Sequence, residues 1–343
     1  MRPAPDGTES WKKMVLQSMR KPAWLSEDAP HGDIVLSSRT RLMRNLRGHR
    51  FPNKADETEL MQVMHSILGA AREAQPALEV FKGLTTAERD YLVGCRLVSP
   101  DFEWTLPGRA FLVDGDRSIG LMVNEEDHLR IQALSAGWSI LNCEASAAAC
   151  LDAMEARLAF AYSPDFGYLS ASPFNCGFGR RQSAMFHLIG LAHQRRLPSV
   201  IKALAVKGIA VRGLFGEASR AIGAFAQISV IGGSQSEFMG ACEYLISEER
   251  GARRTVGRDT LREKAAQAFD FVLGSPTVSL ADALRVLAWS RWAASDGIEG
   301  FNLSPRDADA TLATLELRTP SAGEASGRQR ADALRSMLEG DSR

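Results

Sequence analysis

The 343-residue sequence has no apolar run approaching the ~18 residues needed to span a bilayer, and its N-terminus is polar through Lys12 and Lys13, without a signal-peptide pattern. We therefore expect a cytoplasmic chain with no membrane partner. An excess of one charge is also missing. Lys plus Arg and Asp plus Glu number 41 each, so net charge supplies no attraction to nucleic acid or to an anionic surface. Cysteine is scarce: Cys95, Cys143, Cys150, Cys176 and Cys242 are odd in number, widely spaced and form no C-x-x-C pair. That pattern suggests neither a disulfide framework nor a zinc site, and the residues read as buried free thiols. The usual nucleotide signatures are absent as well. No G-x-x-x-x-G-K-[ST] occurs, and Gly177-Phe178-Gly179 runs on to Gln182 where a dinucleotide loop would place glycine. Phosphate binding, if the chain does it, must use side chains.

With 45% hydrophobic and 24% charged residues, the chain can bury one large core or two smaller ones. The first ~230 residues mix strand and helix signals. Arg109 to Val113 and Ser118 to Val123 flank Asp114-Gly115, which predicts a hairpin with its positive φ at that dipeptide, delivering the chain to Asn124. Helices are expected over Asp56 to Ala74, Ala145 to Ala161 and Gln182 to Arg195. After about Ser236 only helical signals remain: Glu237 to Arg250, Arg258 to Leu273, Leu280 to Ala294, Pro305 to Leu317 and Gly327 to Leu338. Ser279 is a natural N-cap, Ser304-Pro305 pairs a capping hydroxyl with a first-turn proline, and Thr319 to Gly323 reads as a linker. The expected class is α+β: an antiparallel sheet flanked by helices over residues 1–235 (core 24–235, helical edge to about 254), then a smaller all-α domain over 255–343.

Four arginine-bearing segments sit beside turn-like or strand-end motifs: Ser37-Ser38-Arg39-Thr40-Arg41, Asn124 through Arg130, Asn175 through Arg181, and Arg212-Gly213-Leu214-Phe215-Gly216-Glu217. Arginine is a planar fork of fixed positive charge that grips phosphate bidentately, so converging arginines could replace a glycine-rich phosphate loop. Taken singly, each reads as a solvated surface residue, and Glu125 to Asp127 as a solvated acidic run. Composition does not decide between these.

In order and spacing the segments resemble the phosphagen (guanidino) kinase family: S-S-R-x-R, then N-E-E-D-H-L-R-I-Q matched in full from Asn124 to Gln132, then P-x-N-x-G, then R-G-L-x-G-E. The likeness runs from Trp24 to about Arg254. About 35 residues precede Ser37 where small-metabolite kinases carry a helical domain, which together with the helical C-terminal part resembles the bacterial protein-arginine kinases.

The resemblance implies MgATP as phosphoryl donor and an arginine guanidinium as acceptor. It gives Glu126 and Glu217 as the catalytic carboxylates, Glu217 as base and Glu126 as orienter. Both also contact the acceptor, with Ser172, which stands where the family has a reactive cysteine. The ATP-binding set it implies is Ser37, Ser38, Arg39, Thr40, Arg41, Arg96, Arg130, Arg181, Gln182, Ser183, Ala184, Met185, Arg212, Gly213, Leu214, Phe215, Gly216 and Glu217. No protein metal site is implied; magnesium would sit between phosphate oxygens and water. Phe174 and Phe178 replace threonines, and Arg96 stands where the family has a histidine. Implied partners are client proteins bearing arginine, a Clp-type unfoldase and protease, a zinc-binding activator and a second copy of the chain as homodimer. Two other readings remain open: a kinase of a small free guanidino compound, and a pseudokinase or adaptor that binds nucleotide or client without transfer. Of the family's C-terminal R-D-x-x-R-A motif, the segment Ser326 to Ala331 keeps only Arg330 and Ala331.

Overall fold

The computed structural model describes residues 19–25, 28–81, 84–213, 222–231, 234–301, 303–315 and 324–339. Its frame is one eight-stranded sheet made of β1 (Val35–Arg44), β2 (Glu79–Phe81), β3 (Ala110–Val113), β4 (Ile119–Val123), β5 (Leu129–Ala136), β8 (Arg180–His187), β9 (Ala210–Gly213) and β10 (Phe225–Ile231). The order across the sheet is β2-β3-β4-β5-β1-β8-β10-β9, and every pairing is antiparallel. A two-stranded hairpin, β6 (Tyr162–Ser163) with β7 (Gly167–Tyr168), stands apart. The class is α+β, as expected.

The β3–β4 hairpin forms, but by a different turn. Asp114 accepts hydrogen bonds from the Ser118 amide (2.7 Å), the Ile119 amide (2.8 Å) and the Ser118 hydroxyl (2.7 Å), and Arg117, at φ 56°, carries the left-handed conformation instead of Gly115. One carboxylate thus does locally what a glycine was expected to do. A second correction concerns residues 182–195. The first six residues of the expected helix belong to β8, bonded on one edge to β1 and on the other to β10, and only the short helix α4 (Ile189–His193) follows. A strand with both edges paired satisfies all its backbone groups, and this outweighs the local helical spacing.

Helix α1 (Glu57–Ala74) begins at Asp56, which accepts from the Glu59 amide, and buries Val63, Met64, Ile67 and Leu68. Helix α2 (Thr86–Gly94) starts in a Thr85–Glu88 capping box. Helix α3 (Ile140–Glu155) starts five residues and ends six residues earlier than expected; Ser139 makes no side-chain cap and left no start signal. It packs with α1 against the sheet through Cys143, Ala147, Cys150 and Leu151. Helices α5 (Leu197–Val206) and α6 (Gln235–Val256) close a second core with Phe186, Ala226 and Ile228.

The remaining helices are α7 (Arg258–Gly274), α8 (Leu280–Ser295), α9 (Pro305–Thr314) and α10 (Glu324–Glu339). Ser279 and Ser304 cap α8 and α9 as the sequence indicated. The expected linker at 319–323 lies outside the described residues. The apolar faces of α7, α8, α9 and α10 share one core with Leu36, Met185 and Phe225 of the sheet. Arg330 and Arg335 donate to the carbonyls of Val278 (2.9 Å) and Ser275 (2.5 Å), so they brace the turn between α7 and α8. Among the described residues no helix is long and apolar enough to cross a membrane.

Candidate active site

Directly paired residues in an antiparallel sheet share a face, and residues two apart along a strand share it too. Register therefore decides which of the expected residues meet. Arg41 is paired with Gln132 of β5 and with Arg181 of β8, Arg39 with Leu134 and Ser183, Ser37 with Met185, and Met43 with Arg130. Across β10, Met185 pairs with Gln227, which pairs with Arg212 of β9. Ser37, Arg39, Arg41, Arg130, Arg181, Ser183, Met185 and Arg212 thus occupy one face. A cavity of about 1030 Å³ opens over it, lined by Arg39, Arg41, Arg96, Arg130, Met185, Arg212 and Gly213 among others.

Ser38, Thr40, Gln182 and Ala184 alternate to the opposite face and do not line this cavity. Ser38 donates to the Gly137 carbonyl (2.8 Å) and accepts from the Ser139 amide, fixing the start of α3. Gln182 donates to Glu144 of α3 (3.3 Å), and Ala184 belongs to the core under α5 and α6. Thr40 is buried. Reading Ser37 to Arg41 and Arg181 to Met185 as unbroken binding runs missed the period of two. Leu214, Phe215, Gly216 and Glu217 lie outside the described residues.

Electrostatically the face is a concentration of positive charge. Burial, followed by the neighbouring guanidiniums of Arg130, Arg96 and Arg181, pushes Arg39 down to about 9. Arg41 is held well below the usual arginine value by burial and then by Arg39, Arg130 and Arg181. Burial lowers Arg96 to about 10, with Asp309 acting the other way. Like charges packed this closely need an anion. The Nε atoms of Arg41 and Arg130 are buried with no hydrogen-bond partner, and these are donors a polyphosphate could satisfy.

Each residue of the 124–128 segment has a distinct task. Asn124, at φ 55°, donates to the carbonyls of Leu60 (2.9 Å) and Gly108 (2.7 Å). Glu125 accepts from Arg130 (2.7 Å) and from the Glu126 amide (2.9 Å), aiming that arginine. Asp127 is buried and accepts from Asn45 Nδ2 (2.6 Å), Ser170 Oγ (2.9 Å) and the Ala171 amide (2.8 Å). It ties the segment that carries Ser172 to the segment that carries Glu126. His128 accepts from the Leu46 amide at Nδ1 (3.0 Å), with Nε2 beside the Arg50 carbonyl (2.9 Å). Glu126 alone among these side chains makes no hydrogen bond or ion pair with the described residues. Partial burial, then Asp127 and Glu125, raise its carboxyl above the ordinary glutamate value, against the pull of Arg130 and Arg41.

Sequence reasoning missed the opposite wall. Leu280, Asp309, Leu312 and Ala313 of the C-terminal helices line the cavity, as do Trp24, Asp90, Gly94 and Asp101. The approach is close: a Cβ on Gly94 would lie 1.8 Å from the Ala313 carbonyl oxygen. Asp309, fully buried, pairs with Arg291 (2.8 Å) and Arg306 (3.1 Å), and Arg291 also donates to the carbonyls of Gly32 (2.7 Å) and Asp33 (2.6 Å) just before β1. The small residue at position 94 was a usable signal for this wall. The partners, some 200 residues downstream, were not.

Residues 59–248 match the model of the ATP:guanido phosphotransferase C-terminal catalytic domain. The chain belongs to the ATP:guanido phosphotransferase family. It is 34% identical over 281 residues to the protein-arginine kinase of Shouchella clausii, covering 77% of this chain and 78% of that one. It is 32% identical to the protein-arginine kinase of Symbiobacterium thermophilum, over 84% and 86% of the two chains. Among solved structures it resembles lombricine kinase (TM-score 0.57, 18% identity, covering 72% of this chain and 78% of that one). It also resembles the duplicated taurocyamine kinase of Schistosoma mansoni (TM-score 0.58, 22% identity, 68% of this chain), of which it spans 36%. At those identities the solved structures share the fold. The chain is accordingly a phosphotransferase of the guanidino-acceptor class, and ATP use follows from the family.

Proposed function

We propose that this chain is a protein-arginine kinase that passes the γ-phosphoryl group of MgATP to arginine side chains of client proteins. The observation that carries this reading is the register of β1, β5, β8, β10 and β9, which gathers Arg39, Arg41, Arg130, Arg181 and Arg212 on one face, with Arg130 and Arg41 acting on the carboxylate of Glu126, which has no hydrogen-bond or ion-pair partner among the described residues. Such a face holds a triphosphate still and offsets the charge on the moving phosphoryl group, which supplies most of the catalysis in these transfers. Magnesium, bound through phosphate oxygens and water, would supply further charge neutralisation.

The acceptor is a guanidinium whose lone pair is delocalised. As its terminal nitrogen bonds to phosphorus and the bond to the β-phosphate oxygen breaks, a proton leaves that nitrogen for a carboxylate. Glu126, raised by partial burial and then by its acidic neighbours, is suited to share this proton with Glu217 and to orient the guanidinium. Ser172 offers no thiolate at the position of the family's reactive cysteine, so orientation there falls to the carboxylates. The same reading gives clients marked for a Clp-type unfoldase and protease, a zinc-binding activator and a homodimeric state, on the strength of the family resemblance.

The test is incubation with MgATP and casein, followed by mass spectrometry for acid-labile phosphate on arginine, with Glu126→Gln and Glu217→Gln as controls. Phosphoarginine made by the parent protein and lost in both variants is the expected result. Its absence despite measurable ATP binding would replace this reading with a nucleotide-binding adaptor.

A further inference from the structure

The most exposed aromatic side chains of the described residues are concentrated in one short stretch. Phe174, Phe178 and Phe166 are 77%, 68% and 67% exposed, and Tyr162 is exposed as well. Side chains of this size are normally buried, and a cluster left in water marks a contact surface.

The stretch is held in place. Tyr168 and Gly177 exchange backbone hydrogen bonds (2.8 and 3.1 Å), which sets Phe166 and Phe178, each within two residues of that pair, at one end of it. Gly167 passes so near Gly177 that a Cβ there would lie 2.5 Å from the Gly177 carbonyl oxygen. Arg44 stacks on Tyr168 (3.5 Å) and donates to the Phe178 and Gly179 carbonyls, while Arg180 lies over the Phe178 ring (5.4 Å). The same stretch contains Ser172 and is joined by Asp127 to the loop of Glu126. The stretch that carries Phe174, two residues beyond Ser172, is therefore held in place relative to the loop of Glu126.

We infer that this rim is a specificity subsite that docks apolar side chains flanking the acceptor arginine of a polypeptide client. The inference rests on the protein-arginine kinase reading, since an arginine within a chain arrives with neighbours whereas a free guanidino compound has none. In an extended segment, residues two to four positions away sit about 7 to 13 Å from the arginine. A hydrophobic rim beside the acceptor site selects for arginines with apolar neighbours at that spacing.

The test uses the full chain and two fluorescein-labelled peptides with a single arginine, flanked three residues away on each side by phenylalanine in one and by serine in the other. Fluorescence anisotropy measures binding, and mass spectrometry in parallel measures phosphate transfer. We expect the phenylalanine peptide to bind about tenfold more tightly, a preference that falls to within about twofold in the Phe174→Ser/Phe178→Ser variant. Equal binding by the parent protein, or a preference that survives in the variant, overturns the inference. So does a change in oligomeric state by light scattering with the preference intact, which assigns the rim to a second copy. The preference without phosphate on either peptide supports the rim as a polypeptide-docking surface while overturning the kinase reading.

Discussion

The arginine face and the acidic loop lie side by side, yet they are built by opposite means. The arginines are placed by strand register: backbone ladders on both edges of β1 and β8 fix Arg39, Arg41 and Arg181 whatever their side chains do. The repulsion among them is carried by the fold. The acidic loop has no ladder. Its geometry depends on side chains, with Asp127 and Asn45 linking three segments and Glu125 aiming Arg130. Ladders tolerate substitution on their faces, whereas a loop organised by one buried carboxylate does not. The two halves should thus fail differently when altered.

The largest effect is expected at Glu126, the acidic side chain of this loop with no hydrogen-bond or ion-pair partner among the described residues. Glu126→Gln keeps shape and removes the charge and the proton acceptor, so kcat should fall by about 10² to 10⁴ with ATP affinity nearly unchanged. Steady-state kinetics with nucleotide titration checks this. A comparable loss in ATP affinity would instead place Glu126 among the phosphate-binding groups.

Next is Arg41→Met, where activity should fall by about 10² to 10³. In contrast to the loop, stability should rise, because a buried cation among cations is replaced by an apolar side chain of similar length. Thermal melts should show a higher midpoint for the free variant and a smaller increase on adding ATP. A lower midpoint would mean that the arginines brace the sheet.

A smaller effect is expected for Asp127→Asn, which keeps the size but replaces one acceptor oxygen with a donor facing Ser170, Ala171 or Asn45. We expect kcat to drop about tenfold and stability to fall by about 1 to 3 kcal/mol, with ATP affinity retained. Denaturant unfolding and nucleotide titration together separate this outcome from a general loss of fold.

Most of this contrast was legible in the sequence as identity and little of it as geometry. The nine residues from Asn124 to Gln132 pointed to the family, yet nothing in them distinguished Glu126, free for chemistry, from Asp127, committed to hydrogen bonds 43 and 44 residues away. The arginines were recognised, but as runs: alternation along β1 and β8 turns Ser38, Thr40, Gln182 and Ala184 to the other face. The helical spacing over 182–195 misled for the same reason, since pairing on both edges is a tertiary fact. The C-terminal helices were anticipated from their helical pattern, with Ser279 and Ser304 marking the starts of two of them. That Asp309 and Ala313 would wall the cavity was not, because a contact between α9 and Gly94 leaves no local pattern.

The smallest expected effect concerns pH. The folded protein holds the Glu126 carboxyl above its ordinary value through partial burial and the nearby Asp127 and Glu125, so across that interval the folded state binds more protons than the unfolded chain. The stability this contributes is fully present below the unfolded value and is lost as pH rises through the folded one. Parent protein without nucleotide should therefore lose slightly more stability than Glu126→Gln as pH climbs out of the carboxylate range. Activity runs the other way, since the proton acceptor must be ionised, and the acidic limb of kcat/KM should lie above an ordinary glutamate. Asp127→Asn removes one of the two neighbouring acids and should move that limb down, whereas Arg41→Met removes an opposing cation and should move it up. Limbs that stay together in all three proteins would assign the titration to Glu217.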